Sequence, residues 1–255
     1  MFCLICNLFN MLRHFGARRS AVHNLRLATL LGLTAGMVNA EGFLSFSILT
    51  TNVTGHAALF AERVSVLDWH NSIVISLWMF LFLAGAFLSA LILSLTGANQ
   101  RFSYFIPILI EISILLFSAV YGSRYDGSRG LQELFAGSLL FAMGIQNALV
   151  SMVSGSVVRT THLTGTFTDL GIATAQLFSA VDQNRIHLKT KIKLNVVIII
   201  FFMTGAVSGA YLFRQISFHS FYAPVAILCF ALVYDLLRIK GERYYRIQLS
   251  RTKQV

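Results

Sequence analysis

The chain has 255 residues, of which 56% are hydrophobic and 12% charged, with a formal net charge of +10. A soluble domain carries about 25% charged residues, so this composition excludes an ordinary water-clothed globule; with a mean hydropathy of +0.71 it points to an all-α, polytopic helical membrane protein. The basic excess lies at the N-terminus, around 185–193 and at the C-terminus. There it reads as a topology signal rather than as a nucleic-acid footprint, because no basic stripe with interleaved aromatics stands outside the apolar segments.

Residues 1–24 form a basic leader expected in the cytoplasm. It holds Cys3 and Cys6, which have no second pair for zinc and no redox context, and Met11, an alternative start to Met1. No signal-peptide pattern is present. An apolar segment follows at 27–49, with Asn39 and Glu41 in its second half. Polar groups are costly in lipid, so both are expected to face protein or water, at a place where Gly36 and Gly42 allow the helix to break. Next comes Thr50-Thr51-Asn52-Val53-Thr54-Gly55-His56, helix-start chemistry ahead of a segment, 53–66, too short to span. Full spans are expected at 71–96 and at 103–121, the latter broken near Pro107 and carrying Glu111 close to its middle.

A polar connector, 122–132, leads to a second apolar segment at 131–153 that carries Gln146 and Asn147. Arg159 and the turn Thr160-Thr161-His162-Leu163-Thr164-Gly165 precede a second short helix, 163–180, with Asp169. Residues 182–193 read as a polar, basic loop, 194–213 and 219–237 as the last two spans, and 240–255 as a basic cytoplasmic tail.

The order is the same twice. G-x-x-N-A occurs at Gly36 and Gly144, T-T-x-x-T-G at Thr50 and Thr160, G-A at Gly85 and Gly205, and the only two prolines, Pro107 and Pro224, fall in register. Such self-similarity at a fixed period predicts two repeats, 25–121 and 133–239. If the two short helices are re-entrant or interfacial, each repeat has three spans and the pair is inverted, about six spans as 3+3; if they cross, the chain has eight spans as 4+4. The six-span form is preferred, because it keeps Glu62, Arg63 and Asp169 away from lipid.

The two signatures, with Met143 to Thr166 the more specific, resemble the YoaK-like family of bacterial multi-pass inner-membrane proteins. The resemblance implies an inner-membrane location and a repeat but no reaction. Members commonly carry an asparagine after T-G in the first copy, where this chain has His56.

Three functions are compatible with these features. The duplicated polar positions point first to a small secondary transporter or permease for a small molecule or ion. Its site would use Asn39, Glu41, Thr51, Asn52, Thr54, Gln146, Asn147, Thr161 and Thr164, with Glu111, Asp169 and Arg159 as coupling or anion contacts. A membrane scaffold or regulatory protein would pack the same place dry. An intramembrane enzyme would bring titratable groups together, yet no catalytic motif, metal cluster or cofactor signature is present. The expected partners are the bilayer and a small solute; nucleic acid is not one of them.

Overall fold

The computed structural model describes residues 21–96, 104–179 and 182–234, and every regular element among them is helical. In chain order these are α1 (Ala21–Phe46), α2 (Val53–Ser65), α3 (Trp69–Thr96), α4 (Phe105–Tyr121), α5 (Arg129–Ser154), α6 (Leu163–Ser179), α7 (Asp182–Ile216) and α8 (222–234). Short 3-10 turns at Gly122–Arg124 and Ser217–Phe221 join α4 to the connector and α7 to α8. The expectations for the leader, for Cys3 and Cys6 and for the tail lie outside the described residues.

Among the described residues five helical stretches are long and apolar enough to cross a bilayer: α1, α3, α4 with its 3-10 turn, α5, and the run Asn184–Tyr234. That last run has 51 residues and is broken by the Ser217–Phe221 turn; it covers the expected span 194–213 and the part of the expected span 219–237 that lies within the described residues. The 13 residues of α2 and 17 of α6 rise about 20 and 26 Å at 1.5 Å per residue, short of a hydrocarbon core of about 30 Å.

Three expectations are corrected. The helix does not break at Asn39 or Asn147; α1 and α5 run through both positions without interruption. Pro107 does not break α4 but sits in its first turn, where no intrahelical N–H bond is required. Residues 182–193 are not a loop but the polar first turns of α7.

α1 and α5 form the interior. In their best apolar windows 61% and 67% of residues are buried, against 22% for α3 and for the α7 run. On α3 the exposed positions Ile73, Leu77, Phe80, Leu83, Phe87, Leu91 and Leu95 make a stripe at helical spacing, the pattern of a lipid-facing surface. On α7 the exposed Ile200, Met203, Val207 and Tyr211 do the same.

Glycines set how these helices meet. A Cβ added to Gly85 of α3 would lie 2.1 Å from the Phe141 carbonyl oxygen of α5, and one on Gly144 of α5 would lie 2.1 Å from the Phe82 carbonyl oxygen of α3. A Cβ on Gly36 of α1 would lie 2.0 Å from the Phe202 carbonyl oxygen of α7, and one on Gly205 would lie 2.1 Å from the Leu33 carbonyl oxygen. At both crossings each glycine rests on the carbonyl of the residue three before the partner glycine. Small residues permit this backbone approach between helices in lipid.

The same contacts fix direction. Gln132, at the start of α5, donates to the Phe46 carbonyl at the end of α1 at 2.8 Å, and Gln146, late in α5, donates to Leu31, early in α1, at 2.8 Å. α1 and α5 are therefore antiparallel. α3 runs parallel to α5, since Trp78 donates to the Glu133 carbonyl at 3.2 Å while Gly85 meets Phe141 further along both helices. α7 runs parallel to α1, with Gly32 near Phe201 and Gly209 against Met37. α2 thus lies at the end of the bundle where α1 stops and α3 starts, and α6 lies at the end where α5 stops and α7 starts.

Candidate functional site

The two threonine turns are held in the same way. Asn39 Oδ1 accepts from the Thr51 hydroxyl at 2.9 Å and from its backbone N–H at 3.2 Å. Asn147 Oδ1 accepts from the Thr161 hydroxyl at 2.6 Å. A polar side chain on a helix in lipid needs a partner, and here the partner is the turn that follows the helix; this is why the helix stays intact at both asparagines. The structure brings Asn39 to Thr51 and Asn147 to Thr161, each within its own half of the chain. Gln146 bridges the halves, through its bond to Leu31 and a longer approach to Thr160 at 3.5 Å.

Other sequence-nominated residues are distributed. Glu41 is fully buried on α1, beside the Ser220 hydroxyl but outside hydrogen-bond geometry. Glu111 is fully buried on α4, and neither of its carboxyl oxygens has a hydrogen-bond partner among the described residues. Asn52 caps α2, its Oδ1 accepting from the Gly55 N–H at 2.9 Å. Thr54 and Thr164 are exposed and border neither of the recesses described next. Asp169 forms a 3.0 Å ion pair with Lys191 across α6 and α7, and Arg159 is exposed before the second turn.

Two recesses lie beside the turns. The wider, about 590 Å³, sits where α1 ends and α2, α3 and α5 begin, and is bordered by Asn52, Gly55, His56, Leu59, Arg63, Asn71, Ile75, Trp78, Arg129, Gln132 and Glu133 among others. The narrower, about 160 Å³, lies at the opposite end of the bundle, bordered by Ser156, Val157, Arg159, His162, Gly165, Thr166, Asp169, Asn195 and Ile198. With Thr54 aligned on Thr164 and Gly85 on Gly205, eight of these nine fall on residues that border the wider recess; only Ser156, aligned on Phe46, does not. His162 matches Asn52, Thr166 matches His56, Asp169 matches Leu59, and Ile198 matches Trp78.

Several of these bordering residues were not nominated from the sequence. His56, Arg129 and Glu133 come from the starts of α2 and α5, Trp78 from within the apolar run of α3 and Asn195 from the start of the apolar part of α7, so they lie far apart in the chain. Two signals were available: His56 stands where the resemblance implies an asparagine, and each recess adjoins a T-T-x-x-T-G turn. In the wider recess His56 is 3% exposed, its ring edge-on to Trp78 with centroids 6.0 Å apart. Its Nδ1 lies 2.7 Å from the Asn52 carbonyl oxygen. Arg63 is held by Glu62 at 3.0 Å and Asp68 at 3.8 Å, and Glu133 by His70 at 3.2 Å. Asp68 ends the α2–α3 link, where hydrogen bonds from the side chain and backbone of Asn71 lower its carboxyl below the usual value.

Parallel and antiparallel apolar helices packed through glycines, polar turns at both ends and two recesses define an integral, polytopic helical membrane protein. Its family follows from the sequence: the family model described as protein of unknown function (DUF1275) matches residues 27–234, and the chain belongs to that family. No curated protein and no solved structure matches the chain.

Proposed function

We propose that the protein is a secondary transporter of the bacterial inner membrane, built from two inverted repeats, 25–121 and 133–239, that open alternately to the two sides. The observation that carries this reading is the pair of recesses at opposite ends of the bundle, bordered by aligned residues yet unequal in size, about 590 and 160 Å³. In inverted-repeat transporters one half adopts the shape of the other when access switches; unequal recesses in equivalent places are what one half open and one half closed would produce. The matched glycine crossings and the antiparallel run of α1 and α5 support the duplication and its inversion.

In this reading Asn39 and Asn147 position the two turns, and the solute meets the groups that border the recesses. By the positive-inside rule, Lys189, Lys191 and Lys193 in the basic first turns of α7 support a cytoplasmic position for the narrow recess and, with it, for both termini. The wide recess then faces the periplasm.

The reading is tested by labelling Ile75→Cys and Asn195→Cys, aligned positions in the two recesses, after serine replaces Cys3, Cys6 and Cys229. Alternating access requires that a bulky maleimide on Ile75→Cys holds the wide recess open and slows the reaction of Asn195→Cys severalfold. A rigid scaffold would react at the two positions independently, and that result would overturn the proposal.

A further inference from the structure

We propose that the wide recess binds a small organic anion, a carboxylate on an apolar body, together with a proton carried by His56. This rests on reading that recess as one half of a transport path, and it names what enters. Four features point to it.

The first is the backbone. Asn52, Gly55 and His56 belong to the start of α2, Asn71 to the first turn of α3, and Arg129 and Gln132 to the first turn of α5. Three helix N-termini turn their positive dipole ends toward one space, an arrangement that favours an anion.

The second is the balance of side-chain charge. Arg63 is engaged by Glu62 and Asp68, and Glu133 is engaged by His70. Arg129 borders the recess and has no ion-pair partner among the described residues. A guanidinium presents a planar fork of donors suited to a carboxylate.

The third is His56. A carbonyl only accepts, so the 2.7 Å contact with Asn52 requires the hydrogen on Nδ1. Nε2 is then the free position of a ring that is 3% exposed and borders the recess, and no hydrogen bond from it exists among the described residues. Neutral His56 offers a lone pair there, which repels a carboxylate; protonated His56 offers an N–H. Binding of the anion therefore takes up one proton from water, which forms the Nε2–H bond, and no other bond changes. The titratable and charged groups that border the recess with the ring are Arg63 on α2 and Arg129 and Glu133 on α5; Asp68 in the link and His70 on α3 pair with Arg63 and Glu133.

The fourth is the wall. Leu59, Val74, Ile75 and the Trp78 ring face the same space, and a recess of about 590 Å³ falls within the ordinary size of small-molecule sites, roughly 300–1,000 Å³.

Trp78 reports occupancy directly. The chain has two tryptophans, and Trp69→Phe leaves Trp78 alone. In nanodiscs of neutral phosphatidylcholine, sodium benzoate should quench Trp78 saturably, while benzylamine and benzyl alcohol should not. The benzoate affinity should be higher at about pH 5.5 than at about pH 8, because the bound anion takes up one proton. Arg129→Gln should weaken it about tenfold or more, as expected for one charge-assisted contact. Arg129→Lys should recover part of that loss, and His56→Gln should abolish the pH dependence. Saturation by benzylamine instead of benzoate would overturn the proposal, as would a wild-type affinity equal at both pH values. Quenching that required phosphatidylglycerol rather than benzoate would assign the recess to a lipid headgroup. Each of these failures leaves the mutual exclusion of Ile75→Cys and Asn195→Cys labelling intact; loss of that exclusion with benzoate still bound would instead make the recess a binding site without transport.

Discussion

Alanine at Gly144 tests the helix crossings on which the architecture depends. Its Cβ would sit 2.1 Å from the Phe82 carbonyl oxygen, and real Cβ contacts do not close below 3.0 Å, so α3 and α5 must separate by at least about 0.9 Å. Such overpacking costs about 1–3 kcal/mol, partly offset by alanine's better helix propensity, about 1 kcal/mol. Gly171→Ala on α6 is the matched control, because a Cβ there meets nothing within 4 Å and only the propensity gain remains. The difference between the two variants is therefore the overpacking alone. At about 2–4 °C per kcal/mol for a chain of this size, Gly144→Ala should unfold about 2–12 °C below Gly171→Ala in a thermal-unfolding assay on detergent-solubilised protein. The crossing also predicts how variants combine. Gly85→Ala and Gly144→Ala press on the same helix pair, so once one has separated it the second should cost little. Gly144→Ala and Gly205→Ala act on different pairs and should add to within about 0.5 kcal/mol. Equal melting of Gly144→Ala and Gly171→Ala would refute the close approach, and additive loss in Gly85→Ala/Gly144→Ala would refute the reciprocal crossing.

Further outcomes follow from other contacts. Thr161→Val removes the hydroxyl that Asn147 accepts at 2.6 Å; it should lower the melting temperature by about 2–4 °C, the equivalent of about 1 kcal/mol, and Thr161→Ser should restore it. Glu111→Leu should raise the melting temperature, because a buried carboxyl whose two oxygens have no partner among the described residues is replaced by the residue that stands at the aligned position, Leu228; a lower value would reveal a bond to Glu111. Asp68 is held below its ordinary value of 3.8 by Asn71, so its contribution is present above that value and is lost as pH falls through the lower folded-state one. Asp68→Asn should therefore flatten the acid limb of a stability–pH curve, and an unchanged limb would refute the Asn71 contact.

The sequence made the repeated landmarks legible because each is a packing constraint. Gly36, Gly85, Gly144 and Gly205 stand where two backbones touch, and no larger residue fits. Pro107 and Pro224 each stand third in their helices, where the ring is tolerated. The asparagines read as polar points in apolar helices that must face protein or water, with a break expected where the neighbouring glycines allow one; the helices run on, and Thr51 and Thr161 supply the partners. The first turns of α7 read as a loop because Arg185, Lys189, Lys191 and Lys193 hide the helical period; the Asp169–Lys191 pair shows them packing on α6. The wide recess was the least legible part. Most of its polar groups come from the starts of three helices and Arg63 from the end of α2, and nothing in the linear order of His56, Trp78 and Arg129 joins them. A search for polar residues at mid-span favours Glu111, which lies apart from either recess.

The most direct test of alternating access is a pair of spin-label distance distributions at the two ends. Leu59→Cys with Gly130→Cys spans the mouth of the wide recess, and the aligned pair Asp169→Cys with Val22→Cys spans the opposite end. An alternating pair of repeats requires two distances at each end with complementary weights, so that the fraction open at one end equals the fraction closed at the other. A single distance at each end, the same in every lipid and pH condition, would contradict it.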